Sequence, residues 1–363
     1  MVSKTGYSHK IKVFLGAYIN QTNAQNLNCR VLAECLNKKQ FDVLTLSLNH
    51  GNLGEVKIPG VKVFHCKKPV RLFQTLGYLW GIYKADVAYL PRGNNYELQR
   101  FLVRLFKRKS FKTVENIIDE ESLSTALSVL GTRKRVLENY SFSSRSYSIT
   151  SFMKSYNLSS VGLKTEDKIL PPPIDTTSFS EIRTVKKKLK DLLFIGNAMK
   201  RKRVRDFVEL AKDFPELNFH IVGKGGEDHL FKELEIKKIM NIVYHGLLNH
   251  DELKSLMGNI DFHVLPSRSE GFPKGIIECA AAGIPSLVYH DYGAEEWIDT
   301  GKNGFVCRTL EEMKSVIKSM LDDSLKLSVT SDGAIKLANK YSAEYVVSLY
   351  ADEINAIYQS RLS

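Results

Sequence analysis

The segment 261–291, DFHVLPSRSEGFPKGIIECAAAGIPSLVYHD, predicts the fold of the second half of the chain. Two strand-like apolar runs, 261–267 and 285–291, flank a stretch that begins at Pro273 and ends at Gly283. Proline is favoured at the first position of a helix and glycine just after its end, so this stretch predicts a helix between two strands. Since parallel strands are joined through such helices, the segment predicts part of a doubly wound parallel sheet.

The same alternation of strand and helix patterns extends in both directions from this segment. The second half has further strand patterns at 191–197, 218–226 and 241–246 and helix patterns at 204–214, 228–239 and 250–258. The first half has strand patterns at 11–16, 41–48, 61–66, 86–90 and 112–118, with a helix pattern around 27–36. Such alternation is typical of parallel sheets with crossover helices, so the expected fold class is α/β with five strands in each half.

The chain is long enough for two domains, and a proline-rich segment marks the expected boundary. Its 363 residues suit two cores of about 150–200 residues each. The run KILPPPIDTTSFS at 168–180 interrupts the alternation. We therefore expect domains at 1–172 and 173–341, followed by a segment at 342–363 whose helix pattern has an apolar face that must pack on another element.

The composition, with 43% hydrophobic and 25% charged residues, is typical of a soluble globular protein. No apolar run approaches the roughly 20 residues that a membrane span requires, and the N-terminus lacks the pattern of a signal peptide. Five cysteines without C-x-x-C spacing argue against a disulfide framework and a zinc site, and favour a cytoplasmic location. The net charge of +12 favours anionic partners, whether nucleic acid, anionic lipid or phosphorylated ligands.

Glu270 and Glu278 stand eight residues apart in the opening segment, on either side of Gly-Phe-Pro. On a single helix they would be about 12 Å apart and about 80° apart around the axis, too far to act on one small group. A helix that begins at Pro273 instead leaves Glu270 in the preceding loop, at the carboxyl end of a strand, where doubly wound sheets bind ligands. The alternative interpretation is a local cap and a partly exposed helix residue, and the pattern alone does not decide between the two.

A second cluster, GNAMKRKRV at 196–204, places four consecutive cationic residues between a strand and the start of a helix. Cations oppose the helix dipole at this end, so they favour an anionic ligand such as a diphosphate, held by backbone N–H groups and by Arg201 and Lys202. A basic helix start without a ligand is the alternative. The segments 221–226 and 244–253 carry weaker signals. A plain tight turn explains the first equally well, and the second alone is typical of a turn followed by a helix N-cap at Asp251.

Together these segments resemble the retaining glycosyltransferases of family 4, which have the two-domain GT-B fold. The resemblance runs in order through ILPPPIDTTSF, G-N-x-x-x-R-K, I-V-G-K-G, V-Y-H-G-L, LPSRSEGFPKGIIE, AAGIPS and GKNGFVC. Its most specific mark is E-x7-E in the setting P-S-x-x-E-G-F-P, which Glu270 and Glu278 fill. It implies two Rossmann-like domains facing across a cleft, with acceptor binding in 1–172, nucleotide-sugar binding in 173–341, and the helix of 342–363 crossing back to the first domain.

The resemblance implies the retaining transfer of a sugar from a nucleotide-diphosphate sugar, with a UDP-sugar favoured, to a glycan or lipid-linked glycan in cell-surface polysaccharide or glycoconjugate synthesis. Catalysis is assigned to Glu270, which would face the donor sugar, and to Arg201 and Lys202, which would neutralise the diphosphate leaving group. Retention in the family is explained by front-face attack, so Glu270 would position and stabilise without forming a covalent bond. Substrate binding is assigned to Glu278, which would hold the ribose, and to Gly271, Phe272, Pro273, Lys274, Gly246, Leu247, Gly16 and Asn94.

The first half departs from the family pattern, and this affects the acceptor. Gly16 is followed by AYINQTNAQN instead of a second glycine, and YLPRGNN at 89–95 stands where many members carry a histidine. Arg92, Asn94 and Asn95 are therefore alternative polar contacts for the acceptor. No D-x-D motif occurs, so the resemblance implies a nucleotide-sugar cosubstrate, no cofactor and no strict requirement for a metal.

The sequence leaves two further interpretations, one that concerns the function and one that concerns a contact with a membrane. A non-catalytic relative or a basic binder of nucleic acid or lipid is the alternative, but the sequence has no nucleic-acid module with interleaved aromatic residues, so nucleic acid is not expected as a partner. Residues 96–112 place apolar and cationic residues at helical spacing, which fits either a core-facing helix or a peripheral contact with an anionic membrane. The expected location is cytoplasmic, with the inner face of the cell membrane as the alternative.

Overall fold

The computed structural model describes residues 10–49, 56–93, 95–224 and 227–360. The chain divides into two compact units: the first ends at Pro173 and resumes at Ala343, and the second spans Ile174–Ser342. The prolines at 171–173 stand at this division. Because proline lacks a backbone N–H, such a run ends the regular structure of the first unit instead of continuing it.

Six strands form the parallel sheet of the first unit: β1 Ile11–Tyr18, β2 Phe41–Leu48, β3 Val61–Cys66, β4 Val87–Tyr89, β5 Lys109–Val114 and β6 Arg145–Ser148. Their order across the sheet is β3-β2-β1-β4-β5-β6, so the chain begins at the centre and changes direction between β1 and β4. This is the doubly wound order of dinucleotide-binding folds.

Six helices accompany this sheet: α1 Ala24–Cys35, α2 Val70–Lys84, α3 Tyr96–Leu105, α4 Glu120–Leu130, α5 Arg133–Ser141 and α6 Ser151–Val161. Alternate residues of β1 point to opposite faces of the sheet, as the pleat requires. Val13 and Leu15 lie in the core shared with α1, whereas Phe14 lies in the core shared with α2. Helices therefore cover both faces of the first sheet.

The helix predicted over the basic segment 96–112 is shorter than its pattern suggests. Helix α3 ends at Leu105, Lys107 adopts a left-handed φ of 49°, and the chain then enters β5 at Lys109. A left-handed residue breaks a right-handed helix, so the cationic residues beyond Lys107 do not continue the helical face.

The second unit also has a six-stranded parallel sheet: β7 Asp191–Ile195, β8 Asn218–Val222, β9 Ile242–Gly246, β10 Phe262–Leu265, β11 Ser286–Tyr289 and β12 Gly304–Cys307. Their order is β12-β11-β10-β7-β8-β9, so the direction of winding changes between β7 and β10. The α/β expectation, doubly wound in both halves, is confirmed.

Seven helices belong to the second unit: α7 Thr177–Ser180, α8 Val204–Asp213, α9 Glu227–Glu233, α10 His250–Met257, α11 Lys274–Ala281, α12 Leu310–Asp322 and α13 Ser324–Lys340. Two predictions of detail are wrong. The helix predicted over 228–239 ends with α9, because Glu235 has a left-handed φ of 51° and a short 3₁₀ turn follows. The cap of α10 is Asn249, in a capping box with Glu252, and Asp251 lies in the first turn of that helix.

The last helix, α14 Ala343–Gln359, belongs to the first unit. Val346, Tyr350 and Ile354 are buried in the same core as β1 and α1. The carboxylate of Glu353 lies 2.6 Å from Arg145 and accepts a hydrogen bond from the hydroxyl of Tyr147. The predicted apolar face of this segment thus packs on the first sheet.

Each sheet contains one strand that the sequence patterns did not predict. These are β6 and β12, which have four residues each and lie at the edges of their sheets. So short a run offers too few positions for an alternating apolar pattern to be recognised. The sequence of β6, RSYS, contains a single aromatic residue and no aliphatic one.

Candidate active site

The central strands of the second sheet, β7 and β10, bring two distant segments of the sequence to one place. Leu192 of β7 is paired with Phe262 of β10, so the two strands end side by side. Because the winding changes direction here, the connections that follow the two strands diverge and leave a crevice at the carboxyl ends. The cationic segment 200–203 follows β7, and the loop with Glu270 follows β10.

Glu270 lies at this crevice between two cationic side chains. Its Oε1 is 2.8 Å from Lys202 Nζ and 3.4 Å from Arg201 Nη1. The side chains of Lys202 and Glu270 are 15% and 9% exposed, whereas that of Arg201 is 50% exposed. Arg201 also donates to the backbone oxygen of Ser269 and so ties the two loops together. The structure therefore brings the three residues predicted as catalytic into one cluster.

The carboxylate of Glu270 retains an unused capacity to accept hydrogen bonds. Its Oε1 is buried and, although both cations lie within ion-pair distance, it accepts no hydrogen bond of suitable angle from the residues described. Leaving a buried polar group unsatisfied costs about 1–3 kcal/mol, and more when the group is charged. Native structures contain few such groups, and this one is placed to accept a hydrogen bond from a ligand.

Lys202 reaches Glu270 through space that Gly196 leaves open, and Gly223 in turn makes room for the backbone of Gly196. A Cβ on Gly196 would lie 2.2 Å from Lys202 Cδ. A Cβ on Gly223, where φ is +137°, would lie 1.9 Å from the backbone oxygen of Gly196. Both glycines occur in the motifs G-N-x-x-x-R-K and I-V-G-K-G, but no role was assigned to them from the sequence. The structure shows that Gly196 leaves space for the side chain of Lys202, and that Gly223 allows the close approach of the backbone at Gly196.

His263 is a further residue of this region that the sequence patterns did not single out. It lies in β10, is 1% exposed, and its Nδ1 is 2.9 Å from the hydroxyl of Ser286. Burial, and to a smaller degree the charge of Lys202, lowers the pKa of His263 to about 3. The imidazole is therefore neutral and adds no charge to the cluster. A histidine inside an apolar strand pattern gives no separate signal, because most such residues are satisfied core residues.

The loop 271–273 is held by aromatic packing. The ring of Phe272 lies 5.2 Å from that of Trp297 and 5.1 Å from that of Tyr341. Pro273 is the N-cap of α11, so the helix begins at Lys274, one residue later than predicted. The side chain of Phe272 thus anchors the loop, and the backbone of the loop is the part left to contact a ligand.

Glu278 lies on α11, as predicted, but in a different charge environment from Glu270. Burial raises its pKa, whereas Lys274 and His250 act in the opposite direction. The Nε2 of His250 is 2.8 Å from the hydroxyl of Ser178. The cationic groups that act on Glu278 therefore lie at the starts of α10 and α11, and Asp175 opposes them, whereas the cations beside Glu270 come from the segment after β7.

The other residues predicted to bind substrate are Gly246, Leu247, Gly16 and Asn94. Gly246 is the last residue of β9, with φ of +70°, and its oxygen accepts a hydrogen bond from Gly223 N at 2.8 Å. Leu247 follows it and is exposed. Gly16 lies in β1 of the first unit, which continues to Tyr18, so it is a strand residue and does not belong to the loop that follows. Asn94 lies outside the described residues.

The described residues contain neither a cluster of metal ligands nor a helix that could cross a membrane. Within the ranges 10–49, 56–93, 95–224 and 227–360, no group of three or more His, Cys, Asp or Glu side chains is arranged to hold a metal ion. In the same ranges, no helix has both the length and the apolar character needed to cross a membrane.

Residues 175–336, within the second unit, match the family described as "Glycosyl transferases group 1". The UDP-N-acetylglucosamine–peptide N-acetylglucosaminyltransferase GtfA subunit of Streptococcus pneumoniae is 34% identical over 104 residues, which are 28% of this chain and 20% of that protein. The poly(glycerol-phosphate) alpha-glucosyltransferase of Bacillus subtilis is 28% identical over 170 residues, which are 44% of this chain and 24% of that protein. The matches thus span less than a quarter of the length of either relative.

The whole chain also matches a solved structure. The Anabaena protein Alr3699/HepE, crystallised in complex with UDP and glucose, superimposes with a TM-score of 0.73 and 15% sequence identity, over 96% of this chain and 100% of that one. At this identity the likeness concerns the fold. The chain therefore has the GT-B fold, and residues 175–336 match the group 1 glycosyl transferases in sequence.

Proposed function

We propose that the protein is a retaining glycosyltransferase of family 4 that transfers a sugar from a nucleotide-diphosphate sugar, with UDP as the favoured nucleotide. The observation that carries this proposal is the buried carboxylate of Glu270 beside Lys202 and Arg201, at the point where the winding of the second sheet changes direction. The group 1 match and the UDP complex of the Anabaena neighbour support the same assignment.

The donor is held by groups at the carboxyl ends of the second sheet. Arg201 and Lys202 bind the diphosphate, and the start of α11 adds its backbone N–H groups. Glu278 accepts hydrogen bonds from the ribose hydroxyls, while Gly246 and Leu247, at the end of β9, contact the base. No cofactor is needed in this arrangement, and protein cations take the place of a metal at the diphosphate.

The reaction is a substitution at the anomeric carbon of the donor sugar. The oxygen of an acceptor hydroxyl forms a bond to this carbon while the bond from the carbon to the diphosphate oxygen breaks on the same face. The electron pair of the broken bond stays on the diphosphate, which also takes the acceptor proton. Arg201 and Lys202 stabilise the negative charge on the leaving group, and the carboxylate of Glu270 stabilises the positive charge on the sugar ring.

We assign the acceptor to the first unit and propose a glycan or lipid-linked glycan made for the cell surface. The Bacillus relative is named for transfer to poly(glycerol phosphate), and the Streptococcus relative for transfer to a peptide. The two names differ in the acceptor, so similarity to these relatives does not by itself identify the acceptor of this chain. We place the reaction in the cytoplasm, where nucleotide sugars are the donors.

The donor assignment predicts a ligand-dependent change in melting temperature. UDP-sugars are expected to raise the melting temperature more than GDP- or ADP-sugars, because a ligand that binds only the folded state stabilises it. Glu278→Gln keeps the shape of the side chain but removes its charge, and should weaken UDP binding about 10- to 100-fold. Glu216→Gln is the matched control, since Glu216 is an exposed glutamate of the same unit. If no nucleotide sugar changes the melting temperature, the donor site is wrongly assigned.

We also propose that the first unit contacts an anionic membrane through α2 and α3. Leu72 and Tyr83 of α2 and Phe101 and Leu105 of α3 are each more than half exposed. The two helices meet where the ring of Tyr83 lies 5.2 Å from that of Phe106. Cationic residues flank these apolar side chains: Lys67, Lys68, Lys84, Arg104 and Lys107. Exposed apolar residues rimmed by cations are typical of helices that lie on anionic membranes.

Vesicle flotation tests this surface. The protein is expected to float with vesicles that contain anionic lipid and to stay behind with purely zwitterionic vesicles, and salt should reduce the bound fraction. Phe101→Ser combined with Leu105→Ser should lower the bound fraction several-fold. The binding free energy falls by about 25 cal/mol for each Å² of apolar side-chain surface that no longer contacts lipid. Val129→Ser, at an exposed valine of α4, is the control. Equal flotation with both kinds of vesicle would contradict the electrostatic part of the proposal.

A further inference from the structure

The first unit has a pocket of its own at the point where its winding changes direction. It has a volume of about 330 Å³ and is lined by Tyr18, Gln74, Tyr78, Arg92 and Asn95. Tyr18 ends β1, and Arg92 and Asn95 follow β4, the strand beside β1 in the sheet. This is the position at which doubly wound sheets bind ligands, and the volume is at the lower end of the range for ligand pockets, about 300–1,000 Å³.

The guanidinium group of Arg92 is held in one orientation in this pocket. Its carbon lies 4.7 Å from the centre of the Tyr18 ring, and its Nη1 donates a hydrogen bond to Asn26 Oδ1 at 3.1 Å. Asn26 is fully buried, and the same Oδ1 accepts a hydrogen bond from Tyr18 N at 3.0 Å. A planar group fixed by stacking and by a buried amide is organised before a ligand arrives.

Arg92 also lacks the carboxylate partner that several other arginines of this unit have. Arg100, Arg135 and Arg145 each form an ion pair, with Glu138, Glu97 and Glu353 respectively. In the part of the chain that the structure describes, no carboxylate lies within ion-pair distance of Arg92. Its only polar side-chain contact there is the neutral amide of Asn26, so none of the described carboxylates neutralises its positive charge.

The other described residues that line the pocket, Tyr18, Gln74, Tyr78 and Asn95, are uncharged. Burial raises the pKa of Tyr78 to about 12 and raises that of Tyr18 further still, so both phenols keep their protons. Tyr78 donates its proton to the backbone oxygen of Gly16 at 3.2 Å. The Nδ2 of Asn26 is buried behind Arg92 and has no hydrogen-bond partner in the described chain. Among the described residues, the pocket thus combines one cation that has no carboxylate partner with uncharged walls.

We propose that this pocket binds an oxyanion, a carboxylate or a phosphate, carried by the acceptor, and that Arg92 recognises it through two parallel N–H groups. Arginine is suited to this task because its fork matches two oxygens of one anion. Only the identification of the ligand as an acceptor rests on the proposed function, since anion binding at Arg92 is measurable without any transfer reaction. An acidic sugar and a phosphorylated glycan or lipid share this chemistry, and the test separates them.

The test measures binding of small probes to the full chain by ligand-observed NMR. UDP is present throughout to fill the cationic cluster beside Glu270, and the same titrations in a Lys202→Met background exclude binding there. The probes are glucuronate, inorganic phosphate and, as the uncharged control, glucose. Glucuronate or phosphate should bind, glucose should not, and Arg92→Gln should weaken binding at least about 10-fold. Arg92→Lys should retain part of the affinity, since it keeps the charge but loses the fork.

The outcomes have separate meanings. Arg71→Gln, at an exposed arginine of α2, should bind the probes as the unchanged protein does. Preference for glucuronate identifies an acidic sugar as the acceptor group, and preference for phosphate identifies a phosphorylated acceptor. Unchanged probe affinity in Arg92→Gln, or equal binding of glucose, overturns the proposal. A protein that binds the probes through Arg92 but gives no melting shift with nucleotide sugars retains this site and loses the proposed function.

Discussion

Glu270→Gln is expected to lower the turnover number of sugar transfer about 100- to 1,000-fold. The substitution preserves the size of the side chain and removes its negative charge, which lies in a crevice where it is 9% exposed. In other enzymes, a group that stabilises the charge developing in the transition state raises the turnover number by a factor of about 100 to 1,000, because little water is present to screen the interaction. Binding of UDP should change much less, since the nucleotide is held by other groups.

The measurement is the initial rate at saturating donor, together with the Kd of UDP. Glu216→Gln, remote from the crevice, should have the rate of the unchanged protein, and Glu278→Gln should show the opposite pattern, with weakened UDP binding and a smaller loss of turnover. Because Glu270→Gln leaves Lys202 without its nearest counter-ion, the melting temperature must be measured too, and rates compared well below it. Equal and small effects of the two substitutions on turnover would contradict the division of roles between the two glutamates.

The position of Glu270 was predictable because one local rule determines it. A proline is compatible with the start of a helix and not with its interior, so Pro273 separates Glu270 from the helix that carries Glu278. The structure places the helix start one residue later, which leaves this consequence unchanged. Lys202 lies beside Glu270 because the strands that precede the two residues, β7 and β10, are neighbours in the sheet, and the loops after neighbouring strands lie close together.

Other features depend on contacts between segments that no local pattern encodes. Gly196 and Gly223 matter because the chain passes close to itself, and a glycine in a motif does not reveal what approaches it. His263 and the pocket of Arg92 likewise depend on what lies across the sheet. The edge strands β6 and β12 were missed for a different reason, since four residues are too few for an alternating pattern to be recognised.

Lys202→Met is expected to lower kcat/KM about 100-fold or more, through both weaker donor binding and slower transfer. Its ammonium lies 2.8 Å from Glu270 and is 15% exposed, so it acts where charge interactions are less screened than at the surface. Methionine keeps most of the apolar length of the side chain, so the loss reports the charge. Arg201, half exposed, remains to bind part of the diphosphate, and this limits the effect on UDP affinity.

Gly196→Ala provides a second route to the same result without the removal of any charge. The new methyl group would lie 2.2 Å from Lys202 Cδ, so the side chain of Lys202 must move away from Glu270. Kinetics that resemble those of Lys202→Met would show that the position of the ammonium is required, in addition to its presence. Full activity in Gly196→Ala would mean that Lys202 acts from another position than the one in the crevice.

The double variant Lys202→Met/Glu270→Gln distinguishes a working pair from two independent residues. Each single substitution leaves one charge in the crevice without its nearest partner, which costs stability as well as activity. The double variant removes both charges, so its melting temperature should exceed that of at least one single variant, and its loss of turnover should be smaller than the product of the two single losses. Additive effects on both quantities would show that the 2.8 Å contact between Lys202 and Glu270 contributes nothing of its own, and that the two residues meet the substrate separately.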